Sequence, residues 1–383
     1  MKKKKLLFTI GTFFPAQAGG PDNSVYWLNK AIFDFYKNYS CLVLSFFYQL
    51  NSKDIVKYKI RPNIISNING VKVIFFNYFF FRIFSFSFWK FIILNIKKFD
   101  FVHMNSFFFP VTLFCTMFSR LFNIKHCISL RGELENQALK NNFLKKKIFL
   151  FLYKLFYKKV SFFHCTTVQE KSKTKLILKN KNKFEIFPNY ISKNILKMYQ
   201  PKKKNGYLYL GRLHPKKNIE KIILAFNKFQ LKKKKNSKLY IVGTGERSYA
   251  NKLKKIASNL YSAKNIIFTG KKNFTEKFQY INQCKFLIFF SKTENFGNVI
   301  LESLACKTPV IVSKNLPWHI IGKLKSGYLI KNNIKELRDC LIFADKLSKT
   351  KYRKLQKQTF VVFKKFIIDY NIKKIIKIYE KYI

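Results

Sequence analysis

Acidic residues are scarce in this chain. It carries 18 Asp and Glu against 75 Lys and Arg in 383 residues, a formal net charge of +57. No Asp-x-Asp pair occurs, so the sequence offers little with which to build a Mg²⁺ site. Glycine, alanine and arginine are sparse as well, whereas Lys, Phe, Ile and Asn abound. Such a bias would follow from an AT-rich coding sequence, so the charge alone is a weak pointer to function. It still attracts anionic lipid headgroups or nucleic acid. The seven cysteines, at 41, 115, 127, 165, 284, 306 and 340, form no C-x-x-C pair and no metal-ligand spacing. Most lie in apolar runs and read as reduced, buried small hydrophobes of a cytosolic protein.

Long apolar runs are missing too. Phe101 to Ser119 is uncharged for 19 residues, close to the ~20 that span a bilayer. His103, Asn105, Ser106 and Pro110 within it suit a strand, a loop and a helix instead. Arg82 and Lys90 interrupt the Phe-rich segment 75–96. Met1 to Phe14, followed by Ala16-Gln17-Ala18, resembles a secretory signal, but its apolar core is short and proline-interrupted. Leu6–Ile10 is read as a first buried strand. No repeat of solenoid period is present.

Short apolar runs alternate with longer helical patterns, the signature of α/β units with parallel sheets. Strands are expected at Leu6–Ile10, Ser40–Phe46, Val71–Phe76, Phe101–Met104, Cys127–Ser129 and Phe162–Thr166. A second set follows at Tyr207–Leu210, Lys238–Val242, Ile266–Phe268, Phe286–Phe290 and Pro309–Val312. Helices fill the gaps, with one pattern starting near Ser24 and another over Val299–Cys306. A polar, proline-flanked stretch between Pro188 and Gly206 reads as a linker. The expected organisation is two Rossmann-like, doubly wound parallel-sheet domains, 1–195 and 196–350, facing a central cleft. A helical segment, 351–383, is expected to pack back on the first domain. Ligands of such sheets bind at the carboxyl ends of the strands.

Several motifs fall at those ends. Tyr207–Leu210 runs into Gly211-Arg212-Leu213-His214-Pro215-Lys216-Lys217-Asn218, which places two cations, Arg212 and Lys217, before a helix. A guanidinium fork, an ammonium and a helix N-terminus together suit an anion. Glu294 and Glu302 frame the turn Asn295-Phe296-Gly297-Asn298. Carboxylates accept hydrogen bonds only, which suits sugar and ribose hydroxyls. Gly19-Gly20 follows the first strand and has the form of a phosphate loop. Val242-Gly243-Thr244-Gly245 offers backbone against which a flat base can lie, and Gly270 is another such turn.

In combination, Gly-Arg-Leu-x-Pro-x-Lys, Val-Gly-x-Gly and Glu-Asn-Phe-Gly-Asn-Val-Ile-Leu-Glu resemble the retaining GT-B glycosyltransferases of the "glycosyl transferases group 1" type, family four. Pro15–Gly20, Val102–Asn105, Pro188-Asn189-Tyr190, Pro317-Trp318 and Gly327-Tyr328 fall in the family's order. Ser129–Leu134 is similar to the Arg-Gly segment of enzymes that build bacterial surface polysaccharides. The resemblance implies transfer of a hexosyl or N-acetylhexosaminyl group from a nucleotide-diphosphate sugar with retention of configuration, in lipopolysaccharide, capsule or O-antigen synthesis. It implies no metal and no cofactor beyond the donor. Arg212 and Lys217 would neutralise the leaving diphosphate, and Gly19 and Gly20 would contact the same phosphates as the cleft closes. Gly211 lets a ligand approach the backbone, and Gly243 lies in the loop suited to a base. Glu294 and the backbone of Asn295 to Asn298 would hold the transferred sugar. Glu302 would accept from the ribose, and His103 would lie near the reacting sugar and the acceptor. Three departures stand out: Asn295 replaces the usual Gly, Lys307 replaces the Gly of Ala-x-Gly-x-Pro, and Asn105 replaces a second His.

The segment 136–159 interleaves lysines with aromatic residues and has no acid, which suits an anionic membrane surface. An oligosaccharide or lipid-linked acceptor would fit a location on the cytoplasmic face of the cell membrane. The alternatives are a basic nucleic-acid-binding protein, which the charge favours but no motif supports, and an inactive GT-B scaffold.

Overall fold

The apolar runs close into two sheets in the computed structural model of the chain. It describes residues 3–16, 19–79, 85–135, 139, 143–157, 160–178, 183–202, 204–232 and 237–383. The chain divides into two units, residues 1–192 with 368–383, and residues 193–367.

The first unit carries eight strands among the described residues: β1 (Lys4–Thr9), β2 (Tyr39–Phe46), β3 (Ile65–Ile68), β4 (Val71–Phe76), β5 (Phe101–Asn105), β6 (Lys125–Ser129), β7 (Phe162–Cys165) and β8 (Phe184–Ile186). Their order is β3-β4-β2-β1-β5-β6-β7-β8, with every neighbouring pair parallel except β3 and β4. Strand alternation gives the sheet two apolar faces. On one, Phe8, Val43, Val73, Phe101 and Phe162 pack with helix Gly20–Phe35 and with Ile368, Ile372, Ile375, Ile376 and Tyr379 of the last helix, Ile368–Glu380. On the other, Leu7, Leu44, Ile74, Val102, Met104 and Ile128 pack with helices Phe86–Asn95 and Pro110–Leu121. Helix Phe143–Phe156 packs against Pro110–Leu121 in the same layer.

Among its described residues the second unit has six parallel strands: β9 (Tyr207–Leu210), β10 (Leu239–Val242), β11 (Ile266–Gly270), β12 (Phe286–Phe289), β13 (Val310–Ser313) and β14 (Gly327–Ile330). The order is β11-β10-β9-β12-β13-β14. Chain direction across the sheet therefore reverses between β9 and β12, the point where ligands of doubly wound folds bind.

The expected strands appear, joined by three others, β3, β8 and β14, of only three or four residues each. The first helix starts at Gly20 rather than near Ser24, because proline is tolerated in a first helical turn and Asp22 caps it by accepting from the Gly19 amide at 3.1 Å. The segment 351–383 does not act as one piece. Helix Lys349–Lys364 belongs to the second unit, and the chain passes to the first unit only from Ile368. Apolar stripes mark both helices, and nothing in a stripe says which sheet it covers.

Candidate active site

β9 and β12 are adjacent, so the segments leaving their carboxyl ends meet. Lys217, in the turn after β9, donates to Glu294 Oε2 in the turn after β12. Both side chains are 15% exposed. Burial pulls the Lys217 pKa below its ordinary value, and the Glu294 carboxylate opposes that shift. Lys217 Nζ also sits 5.4 Å from the Phe289 ring centre. The two turns are tied by their backbones, with the Lys292 amide donating to the Lys216 carbonyl at 2.7 Å. Asn218, at φ 54°, donates to the carbonyl of Phe290 at 3.2 Å and to Asn332 at 2.7 Å. Arg212 is exposed, and its carbonyl accepts from the Tyr209 hydroxyl at 2.7 Å.

Glycine is required where these turns crowd each other. A Cβ on Gly243 (φ 140°) would stand 1.9 Å from the Gly211 carbonyl oxygen. Gly297 (φ 93°) precedes helix Asn298–Ala305, and its Cβ would stand 2.5 Å from the Phe289 ring. Phe296 is buried between Trp318 and Phe366, with its carbonyl accepting from the Trp318 indole. That anchor presents the segment 295–298 through its backbone. Glu302, one turn into the helix, is 3% exposed. Its Oε1 accepts from Lys277 at 2.6 Å, while Oε2 is buried and has no partner. Lys277 had no signal in sequence, because one lysine among so many is not distinguishable. Asn298 lies at the helix start.

Gly19, Gly20 and His103 belong to the first unit, so they are described apart from the second-unit cluster. The Gly19 amide is engaged by Asp22. His103, third residue of β5, is 1% exposed. Its Nδ1 pairs with the Tyr379 hydroxyl at 2.7 Å and its Nε2 with the Ser129 hydroxyl at 2.6 Å. Ser129 bonds His164 Nδ1 at 2.6 Å, and His164 Nε2 reaches the Phe187 carbonyl at 2.8 Å. Burial, helped by the charge of Arg131, lowers the His103 pKa to about 3 and holds His164 well below its usual range. His103 is thus a neutral ring fixed on both sides. Asn105, on the same face two residues on, donates to the Thr9 carbonyl at 3.2 Å and accepts from Arg131 at 2.6 Å. The ends of the lysine-aromatic segment 136–159, residues 136–138, 140–142 and 158–159, lie outside the described residues.

Two sheets of this topology define the GT-B fold. The chain superposes on sucrose-phosphate synthase from Thermosynechococcus elongatus over 99% of both chains, with a TM-score of 0.77 and 16% identity. It superposes on HepE of Anabaena in complex with UDP and glucose over 99% of this chain and 100% of that one, with a TM-score of 0.75 and 16% identity. Residues 192–365 match the family "Glycosyl transferases group 1". Among curated proteins, alpha-monoglucosyldiacylglycerol synthase of Streptococcus pneumoniae is 39% identical over 108 residues, 28% of this chain and 24% of that protein. The next two relatives are matched over 66% and 51% of their own length, so these matches span less than two thirds of each relative.

Proposed function

We propose that the chain is a retaining glycosyltransferase that moves a sugar from a nucleotide-diphosphate donor to a saccharide or lipid-linked acceptor. The observation that carries this reading is the Lys217–Glu294 pair at the point where the second sheet reverses direction. An ammonium offers three donors, and Glu294 takes one of them. Lys217 and the exposed Arg212 receive the diphosphate oxygens as negative charge builds on the leaving group. Stabilising that charge with preset cations in a partly dry site supplies most of the rate gain. Glu294 and the 295–298 backbone accept and donate to the hydroxyls of the transferred sugar. Glu302 Oε2, buried and unpartnered, accepts from the ribose. Gly211 and Gly243 let the nucleotide lie against backbone. The UDP and glucose of the HepE structure, and the family match over 192–365, support a nucleotide-sugar donor. His103 serves the acceptor side as a fixed neutral wall.

The acceptor reading rests on the first unit's outer helical layer. Phe86, Ile93 and Leu94 are exposed on one face of helix Phe86–Asn95. Leu121 is exposed on Pro110–Leu121, and Leu144, Ile148 and Phe151 on Phe143–Phe156. Their spacings of three, four, seven and eight put each set on one side of its helix. Lysines and Arg120 accompany them, and none of the three helices carries an acid. A basic apolar face of this kind suits an anionic leaflet, where a lipid-linked acceptor resides. The relative named for a glucosylated diacylglycerol accords with that acceptor class. No helix among the described residues is long and apolar enough to cross a membrane. Surface-polysaccharide synthesis on the inner face of the cell membrane is the setting we infer.

Incubation of purified protein with a panel of sugar nucleotides, following nucleotide release, tests the activity. Turnover is expected with one of them, and Lys217→Ala and Glu294→Ala are each expected to lose roughly 100-fold or more in kcat. Unchanged turnover in both variants would refute the site. Neither turnover nor thermal stabilisation by any donor would refute the activity.

A further inference from the structure

A second notable charge lies in the first unit. β6 ends at Ser129, and Arg131 follows at φ 53°. Two carboxylates hold this turn. Glu170 accepts from the amides of Gly132 and Thr166, both at 2.6 Å. Glu133 accepts from the amides of Phe107 at 2.6 Å and Phe108 at 2.8 Å, and from the Ser106 hydroxyl at 2.6 Å. Both acids are committed to the loops they shape, and neither pairs with the neighbouring guanidinium.

Arg131 is therefore left with neutral hydrogen-bond partners. Its Nη1 donates to Asn189 Oδ1 at 2.8 Å and to Ser24 Oγ at 3.2 Å, and its Nη2 to Asn105 Oδ1 at 2.6 Å. Its Nε is buried without a partner. No described acid forms an ion pair with it. Burial lowers its pKa to about 10. Beside it is a small pocket lined by Ser24, His103, Arg131, His164, Asn189 and Tyr190 among others. Arg131 is the only charged residue in that lining, because both histidines stay neutral. The carboxylates of Glu170, Asp22 and Glu133 favour its charge from nearby, but none of them is hydrogen-bonded to it. Its planar fork matches carboxylate and phosphate oxygens. A purely bracing role needs no charge, since neutral amides tie such loops as well.

We propose that this pocket is an oxyanion site in which Arg131 binds a phosphate or carboxylate group carried by the acceptor. The proposal rests on the acceptor-side reading of the first unit given above. Inorganic phosphate and glucuronate are the probes. The full chain carrying Arg212→Ala and Lys217→Ala removes the other cation pair, and the unfolding temperature is followed against chloride at equal ionic strength. At saturating probe a rise of about 3 °C is expected. Arg131→Gln is expected to abolish it. Asn189→Asp sets a carboxylate beside Nη1, and is expected to raise the unfolding temperature in chloride and to abolish the anion response. Stabilisation by phosphate alone identifies a phosphorylated acceptor, and by glucuronate alone a uronic acid. The proposal is overturned if neither anion stabilises the protein, or if either variant keeps the full response. Anion stabilisation that depends on Arg131 in a protein that turns over no sugar nucleotide would preserve the pocket and remove the transferase reading; the reverse pattern would do the opposite.

Discussion

Glu294 and Glu302 stand out in sequence because acids are so rare here, yet their environments differ. Glu294 is one half of a partly buried ion pair, whereas Glu302 keeps one oxygen on Lys277 and the other free of partners. Spacing alone showed two carboxylates near a turn. That they face separate lysines depends on β9, helix Phe274–Gln283 and helix Asn298–Ala305 packing together. Lys307 does adopt the left-handed backbone expected of a site usually held by glycine, with φ 51°, at a cost of about 1 kcal/mol. His103 went the other way: a histidine at a strand end reads as chemical, and tertiary packing made it a buried neutral ring. A testable consequence is acid sensitivity. Below its ordinary pKa of 6.5 the unfolded chain protonates His103, while the native protein does not until about pH 3. The stability from the neutral ring is complete above pH 6.5 and is lost as pH falls through that window. About 2 kcal/mol disappears by pH 5 from this residue. Unfolding midpoints measured from pH 7.5 to 5 should fall less steeply in His103→Gln. An unchanged slope would show that His103 does not govern it.

The helices of the first unit's outer layer carry apolar residues on both sides. Helical periodicity in sequence shows one inward face per helix, and the outward residues Phe86, Leu94, Leu121, Leu144 and Phe151 look like excess until three helices lie side by side. Packing of Pro110–Leu121 against each of the other two helices puts them in one layer. Leu144→Glu with Phe151→Glu is expected to reduce co-sedimentation with phosphatidylglycerol vesicles about tenfold or more, because it removes apolar contact and adds like charge to the lipid. Equal binding of the double variant would exclude this face as the membrane contact. The last helix makes a related point. Its stripe of Ile368, Ile372, Ile375 and Ile376 was legible, but its place against helix Gly20–Phe35 depends on a crossing that spans more than 300 residues of chain.

Across the whole molecule, the net charge of +57 is large enough to bind nucleic acid without any dedicated site. Such binding would depend on counterion release, losing about 10³-fold or more between 50 and 200 mM salt for several phosphate contacts. Donor binding to a partly buried ion pair should change little over the same range. Titrating single-stranded DNA and the active sugar nucleotide at both salt concentrations separates the two. A nanomolar DNA affinity that persists at 200 mM salt would restore the nucleic-acid reading. By itself the sequence determined the α/β class, most strands of both sheets and the positions of the motifs at strand ends, because periodicity and turn chemistry are local. The tertiary structure decided the partners of Lys217, Glu302, His103 and Arg131, and the unit to which each C-terminal helix belongs. Those depend on strand order and long-range packing, which no local pattern encodes.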